Sequence, residues 1–211
     1  MSADPVRSLR RVVAFDVDGT LTTRDCVVPF LRRVAGSTAP YRAVLRHPLR
    51  SSRALAARDR DALKALAAAA AFAGRDSDAV DLLGVEFART IVGGLLRGET
   101  VAALRAHQAE GAATVLVSAS FETYLRPLAE MLDIDDALGA RLQVDGRGVL
   151  TGELDGPNCR GTEKVVRLHE WLGAHVGGRA AVELVAYGDS AGDRELLADA
   201  DIAHWVGRYR P

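Results

Sequence analysis

The segment Val12-Val13-Ala14-Phe15-Asp16-Val17-Asp18-Gly19-Thr20-Leu21-Thr22 decides the fold of this 211-residue chain. A short apolar run, rich in β-branched residues, leads into two aspartates that are separated by one residue. The run predicts a buried parallel strand over residues 11–17, and Gly19 predicts the turn that ends it. Because open α/β sheets bind ligands at the carboxyl ends of their strands, Asp16 and Asp18 are candidate site residues.

Two carboxylates held this close repel each other, so a cation would stabilise the pair. One of them is then suited to attack an electrophile while the other moves protons. The alternative is an Asp-Gly turn after a buried strand, with both carboxylates solvated. The segment alone leaves both interpretations open.

Composition limits the possible classes of protein. The length and the 48% hydrophobic content suit one domain, or one domain with an insert. A formal net charge of −1 gives no global field that would attract nucleic acid. No apolar run is long enough for a membrane span, and the short polar stretch of residues 1–11 does not fit a signal peptide. Cys26 and Cys159 form no CxxC pair, so we expect reduced thiols and a cytoplasmic protein.

Lysine is rare in this chain. Of its 27 basic residues only Lys64 and Lys164 are lysines, and the others are arginines. A lysine in such a background suggests a position that needs a compact ammonium group, although two lysines could also arise by chance.

The stretch after the first strand predicts a helical insert over residues 24–98, within a core formed by residues 1–23 and 99–211. It is alanine-rich from Ala54 to Ala73 and has no second strand pattern. Large apolar residues in this stretch, including Leu63 and Leu66, suit one face of a packed helix. The predicted helices span residues 27–35, 41–47, 51–74 and 79–96.

An alternating pattern of helices and strands resumes after the insert. This alternation predicts an α/β fold with a doubly wound, mostly parallel sheet. A Gly-rich turn at residues 145–148 predicts a hairpin. The predicted elements are helices over 99–110, 121–131, 162–172 and 193–200, strands over 113–117, 182–187 and 202–206, and the hairpin over 141–154.

Three more candidate sites fall at strand ends or helix starts. Ser118 ends the strand over 113–117, where its hydroxyl and the backbone N–H groups of an opening helix would cradle a phosphate; alone, it is more often a helix N-cap. Lys164 lies in the first turn of a helix, an unfavourable place for a cation unless an anion is near, but equally a place for a solvated surface lysine. Asp189 and Asp193 bracket a turn of small residues and suit either a divalent cation or simple helix capping.

Taken together, these residues resemble the four motifs of the haloacid dehalogenase superfamily of phosphohydrolases. The motifs are Asp16-x-Asp18-Gly-Thr, Ser118, Lys164 and Gly188-Asp189-x-x-x-Asp193, in that order. The chain looks most similar to the phosphoserine-phosphatase-like branch, whose helical cap domains are inserted between the first and second motifs. The resemblance implies a Rossmann-like core, with residues 24–98 as the cap.

The resemblance also implies roles in a phosphatase reaction. Asp16 would be the nucleophile that forms an aspartyl phosphate, and Asp18 would protonate the leaving alcohol and then activate water. Mg²⁺ would be held by the Asp16 carboxylate, the Asp18 backbone carbonyl and Asp189. Oxygen-only ligands suit Mg²⁺ better than Zn²⁺.

The remaining motif residues would handle the phosphate. Ser118 and the N–H of Ala119 would bind phosphate oxygens. Lys164 would neutralise the phosphoryl group and fix the nucleophile, and Asp193 would orient Lys164 or the waters of the metal ion. A receiver-like phospho-switch and a sugar-phosphate mutase are the alternatives from other classes, and steady phosphate release separates a hydrolase from both.

The substrate stays open at this stage. Asp25 stands where phosphoserine phosphatases carry a glutamate that reads the substrate ammonium, and we expect it to face the leaving group. No arginine can be assigned to a serine carboxylate. Residues 31–60 contain eight arginines and one acid, which suits a solvated cap surface or an anionic lipid surface. Small phosphomonoesters such as phosphoserine or histidinol phosphate, and phospholipid phosphates, are therefore all candidates. Monomer and homodimer also stay open, as does peripheral contact with a membrane.

Overall fold

The computed structural model describes residues 10–36 and 60–207, in which a five-stranded parallel sheet carries helices on both faces. The strands are β1 (Arg10–Phe15), β2 (Ala113–Phe121), β3 (Asp136–Ala140), β4 (Leu142–Val144), β5 (Leu150–Leu154), β6 (Val182–Gly188) and β7 (Ile202–Trp205). The helices are α1 (Val27–Ala35), α2 (Arg60–Phe72), α3 (Ser77–Gly94), α4 (Gly98–Ala109), α5 (Glu122–Met131), α6 (Thr162–Val176) and α7 (Arg194–Asp199).

The strand order of the sheet is β3-β2-β1-β6-β7, with every pair parallel. The predicted doubly wound α/β fold is therefore confirmed. The chain leaves β1 towards β2 and β3, then crosses back to β6 and β7. This reversal places the carboxyl end of β1 at the switch point of the sheet, where α/β folds bind ligands.

The alternation of side chains along β1 divides the core into two layers. Val13 and Phe15 face a cluster with Leu104 of α4 and Leu128 of α5. The opposite face of the sheet packs against α6 and α7. Both faces of β1 are fully buried from Val12 onwards, which explains its continuous apolar sequence. None of the helices in the described ranges combines the length and apolar character that crossing a bilayer requires.

The two ends of the insert lie side by side. Thr22 forms an isolated bridge with Leu96, and the backbone N–H of Arg97 donates to Leu21 O at 2.8 Å. Aromatic rings then hold α1, α2 and α3 against the core, with centroids 4.9–6.3 Å apart; they are Phe30, Phe72, Phe87, Phe121 and Tyr124. The predicted helix over 41–47 and the start of the one over 51–74 lie outside the described residues.

The sequence patterns missed strand β3 at the edge of the sheet. The segment Asp136-Ala-Leu-Gly-Ala140 lacks a β-branched run, so it gave no strand signal. It pairs with β2 through tertiary contacts, and Gly139 is needed there because a Cβ would lie 2.8 Å from the backbone oxygen of Ser120. The predicted hairpin does form, as the antiparallel pair β4–β5.

Gly84 offers a test of how closely α3 packs on α5. A Cβ at this position would lie 2.2 Å from the backbone oxygen of Thr123, so Gly84→Ala must push the helices apart. We expect a loss of about 1–3 kcal/mol in the free energy of unfolding, measured by urea denaturation. Gly93→Ala in the same helix is the control, since a Cβ there meets nothing within 4 Å and should gain up to about 1 kcal/mol. A Gly84→Ala protein as stable as the parent would contradict the packing described.

Candidate active site

The carboxyl ends of β1, β2 and β6 open into a cavity of about 870 Å³. Every residue that the sequence put forward for the site lines this cavity. The set is Asp16, Asp18, Asp25, Ser118, Ala119, Lys164, Asp189 and Asp193. Residues separated by up to 177 positions therefore meet, because parallel strands end at the same edge of the sheet.

Lys164 is buried at the bottom of the cavity, which removes the solvated-lysine interpretation. Its Nζ donates to Asp16 Oδ1 at 2.6 Å and to Asp193 Oδ1 at 2.5 Å, and its side chain is 2% exposed. Helix α6 begins at Thr162, one residue after the N-cap Gly161, as the predicted start at residue 162 requires. The first turn of α6 carries a cation because two carboxylates surround it.

The carboxylates around Lys164 differ in their affinity for protons. Burial raises the pKa of Asp16 above its ordinary value, although the Lys164 ammonium opposes this. Burial acts in the same sense on Asp193, but there the Lys164 ammonium outweighs it and the pKa is lowered. Asp193 also accepts hydrogen bonds from the Ser190 backbone N–H at 3.0 Å and the Ser190 hydroxyl at 2.7 Å. These bonds fix its carboxylate beside the ammonium.

Asp18 occupies a separate environment within the same loop. Its Oδ2 accepts from the Ser120 hydroxyl at 2.6 Å, and its Oδ1 accepts from the Cys26 backbone N–H at 2.9 Å. Burial raises the pKa of Asp18 to about 7 against the effect of these hydrogen bonds. Two aspartates separated by one residue thus have different partners, because Asp16 contacts the Lys164 ammonium whereas Asp18 accepts from uncharged donors.

Gly19 lets Asp189 approach the loop after β1. Its φ is +84°, and a Cβ would lie 2.1 Å from Asp189 Oδ2, so only glycine fits at this position. Burial, and then the Asp16 and Asp193 charges, raise the pKa of Asp189 to about 6. A carboxylate is therefore held where its neighbours disfavour its charge.

The acidic cluster has the chemistry of a site for a hard divalent cation. Carboxylate oxygens of Asp16, Asp189 and Asp193 lie within 4.8 Å of one another. The Asp18 carboxylate is not part of this cluster, because Ser120 and Cys26 hold it. A contribution of Asp18 to a metal site would therefore fall to its backbone carbonyl, as the family resemblance implies.

The backbone after Ser118 is not helical, contrary to the prediction from the sequence. No helix opens directly after this residue, since β2 continues to Phe121 with an irregular register between Val117 and Phe121, and α5 begins at Glu122. The buried Phe121 ring anchors this extended stretch in the aromatic cluster. Ser118 is 1% exposed, and its hydroxyl oxygen accepts from the Ser120 N–H at 3.3 Å.

Several residues in or beside the cavity were not recognised as site residues from the sequence. Ser120 bonds Asp18, and Arg97 donates to Gly19 O at 2.9 Å. Lys64 of α2 reaches across the cavity: its Nζ bonds Ala119 O and, at 2.6 Å, Asn158 Oδ1. The rarity of lysine was the one signal available for Lys64, and both lysines do line this cavity.

Asp25 lies at the exposed edge of the cavity, at the start of α1. Its Oδ1 accepts from the Val28 backbone N–H at 3.2 Å, so it caps the helix. Its charge also contributes, after burial, to the raised pKa of Asp18. Asp25 therefore both caps α1 and lies beside the site.

Comparison with known families agrees with this geometry. The model of the haloacid dehalogenase-like hydrolases matches residues 13–198. The chain therefore belongs to the haloacid dehalogenase-like hydrolase family, as its motifs indicated, and it is a hydrolase.

This chain is similar to a known protein and to several solved structures. Protein CicA of Caulobacter vibrioides (strain NA1000 / CB15N) is 39% identical over 194 residues, which cover 90% of this chain and 83% of that protein. A protein of unknown function from Bordetella pertussis Tohama I has a TM-score of 0.66 at 22% identity, covering 90% of this chain and 87% of that one. A phosphoserine phosphatase, solved as a phospho-aspartyl intermediate analogue, has a TM-score of 0.63 at 17% identity, covering 93% and 86%. The fold is thus the one found in phosphoserine phosphatases.

Proposed function

We propose that this chain is a Mg²⁺-dependent phosphomonoester hydrolase that forms an aspartyl phosphate on Asp16. The observation that carries the proposal is the buried contact of Lys164 with Asp16 and Asp193 beside Asp18, at the bottom of an open cavity. Family membership as a hydrolase supports it.

In the first step, a carboxylate oxygen of Asp16 attacks the phosphorus atom of the substrate. A bond forms between that oxygen and phosphorus, and the bond from phosphorus to the alcohol oxygen breaks. Lys164 holds Asp16 Oδ1, so the carboxylate keeps one orientation towards the cavity. Asp18, in its protonated form, gives its proton to the departing alcohol oxygen.

In the second step, Asp18 acts as a general base. Its carboxylate takes a proton from a water molecule, whose oxygen attacks phosphorus and releases the Asp16 carboxylate together with inorganic phosphate. The Ser120 hydroxyl and the Cys26 N–H donate to Asp18 and orient it in its ionised form. A residue that must both give and accept a proton is best served by a pKa near the working pH.

The Ser118 hydroxyl and the Ala119 N–H, at the end of β2, would bind the phosphate oxygens. Lys164 adds a positive charge beside the same position, and Asp193 keeps that ammonium in place. These groups would stabilise negative charge as it develops on the transferred phosphoryl group.

The residues present fit a magnesium site formed by Asp16, Asp189 and the Asp18 carbonyl. Crowded carboxylates, one with a pKa raised to about 6, are the expected surroundings of a hard cation. When bound, such a cation would offset the repulsion between these carboxylates and the phosphate.

The insert, residues 24–98, would act as a cap that covers the reacting groups and selects the alcohol. Its described helices α1 and α2 line the cavity opposite the motif residues. An acyl phosphate needs protection from stray water until the alcohol has left, and a cap provides it.

Replacing Asp16 tests the nucleophile. Asp16→Asn keeps the size of the side chain but removes the attacking charge, so phosphate release should fall at least about 10³-fold while the fold is retained. Release of inorganic phosphate from a panel of phosphomonoesters is the measurement, with Asp145→Asn in the β4–β5 turn as a control for loss of an aspartate. Activity within about tenfold of the parent would refute this role for Asp16.

Removing the metal tests the cation site. Excess chelator should abolish activity, and added Mg²⁺ should both restore it and raise the thermal midpoint. In Asp189→Ala, half-maximal activation and the thermal shift should require at least about tenfold more Mg²⁺, since an oxygen ligand is lost. Asp78→Ala on the exposed surface of α3 is the matched control. Unchanged Mg²⁺ dependence in Asp189→Ala, or full activity in chelator, would contradict the assignment.

Replacing Asp25 tests whether the cap selects the substrate while the core performs the chemistry. Asp25→Ala should lower the preference for phosphoserine and phosphoethanolamine over ethyl phosphate, because a carboxylate beside the leaving group favours an ammonium. Asp76→Ala is the control, since Asp76 caps α3 in the same way but does not line the cavity. An equal large loss with all substrates would place Asp25 in the catalytic machinery, and an unchanged ranking would leave it only a helix cap.

A further inference from the structure

We infer that the alcohol part of the substrate is a hydrocarbon chain, seated on an apolar wall that α1 and α2 present to the cavity. The inference rests on the proposed phosphomonoester hydrolysis and names the substrate class for that same site. The apolar wall consists of Val27, Val28, Leu31, Leu63, Leu66 and Ala67.

The wall arises from the periodicity of two helices. In α2, Leu63, Leu66 and Ala67 are spaced as i, i+3 and i+4, so they share one face. The adjacent face of α2, which carries Ala68 and Phe72, is buried in the core. Helix α2 therefore has two apolar faces, one packed against protein and one turned to the cavity.

The charges that act on the phosphate in the proposed reaction come from the core, and outside α1 and α2 the cavity is also lined by Arg24, Asp25, Arg97 and Arg160. Asp16, Asp18, Lys164, Asp189 and Asp193 come from the strand ends and the helices of the core. Among the described residues of α1 and α2 that line the cavity, Lys64 is the charged one, and its ammonium is turned to Ala119 and Asn158 of the core. A ligand thus meets polar groups at its phosphate end and methyl groups beyond it.

The wall is partly open to water. Val28 is 42% exposed, and Leu63, Leu66 and Ala67 are half-buried. Covering such a surface with a hydrocarbon chain releases water and is favourable. A serine moiety seated on these six residues would lose hydration without finding a partner among them, since the charges of Arg24 and Asp25 line the cavity before α1 begins.

The size of the cavity allows for a chain. A volume of about 870 Å³ lies in the range of sites that enclose drug-sized ligands, well beyond the needs of a phosphate group alone. Space, apolar lining and a charged end thus point to an amphiphilic phosphomonoester.

The test is a series of straight-chain alkyl phosphates from ethyl to octyl, each below its micelle-forming concentration, with the full chain and Mg²⁺. We expect kcat/KM to rise about threefold for each added methylene until the wall is covered. Phosphoserine is the polar reference in the same phosphate-release assay. A flat or falling series, with phosphoserine hydrolysed, would overturn the hydrocarbon inference and leave the proposed function standing. No release from any monoester would overturn both.

Variants of the wall test whether these residues cause the dependence on chain length. Leu63→Asn and Val28→Asn should each reduce the octyl-to-ethyl ratio of kcat/KM at least about fivefold. The exposed position of Val28 makes its replacement the safer one for folding, which circular dichroism checks. Leu82→Asn is the control, because Leu82 is 68% exposed on α3 and does not line the cavity. Unchanged ratios in both wall variants would overturn the inference.

A last comparison tests whether the amphiphilic phosphomonoester is a membrane lipid or a soluble molecule. Phosphatidylcholine vesicles that carry phosphatidate present the phosphomonoester on a membrane, while dodecyl phosphate presents it in solution. Release from vesicles supports the inference and identifies a membrane lipid. Release from the soluble ester alone supports it and identifies a free amphiphile. Release from neither, with phosphoserine hydrolysed, would overturn it.

Discussion

A buried ammonium between two carboxylates holds the functional end of this protein together. Lys164 from the start of α6 contacts Asp16 at the end of β1 and Asp193 after β6. Buried charges are costly unless they are paired, and removal of one partner leaves the others uncompensated. The relative positions of two strand ends and one helix therefore depend on this contact. It also explains why a cation stands in the first turn of a helix, where the backbone dipole disfavours it.

The same region concentrates negative charge beyond what one lysine balances. Asp189 approaches the β1 loop so closely that position 19 has no room for a side chain, and its pKa is raised. Asp18 is held apart from this group by Ser120 and Cys26. Crowded charge of this kind opposes folding, and proteins retain it where a ligand or a reaction requires it. The proposed cation and phosphate chemistry gives each of these carboxylates a distinct role.

The insert contributes in a different way, through apolar surface. Its aromatic residues Phe30, Phe72 and Phe87 share a cluster with Phe121 and Tyr124 of the core. Close packing of these rings fixes α1 and α2 relative to the strand ends, so the wall they form stands at a defined distance from the reacting groups. Phe121 follows the Ser118-Ala119-Ser120 stretch directly, which links the packing of the insert to the geometry of the site. Lys64 adds a polar link to the same stretch.

The sequence by itself determined the parallel sheet, the hairpin and the positions of the motif residues. Buried strands read as apolar runs, and residues at their carboxyl ends must meet at one edge of the sheet. Strand β3 escaped prediction because Asp136-Ala-Leu-Gly-Ala140 forms a strand only through pairing with β2 under α5. The bond from Ser120 to Asp18 joins residues 102 positions apart, and that from Lys64 to Asn158 joins residues 94 apart. Likewise, Leu63 and Leu66 carry the pattern of a packed helix face, and only the tertiary structure turned that face to a cavity. Local periodicity fixes which residues share a face, whereas what that face meets depends on contacts between distant segments.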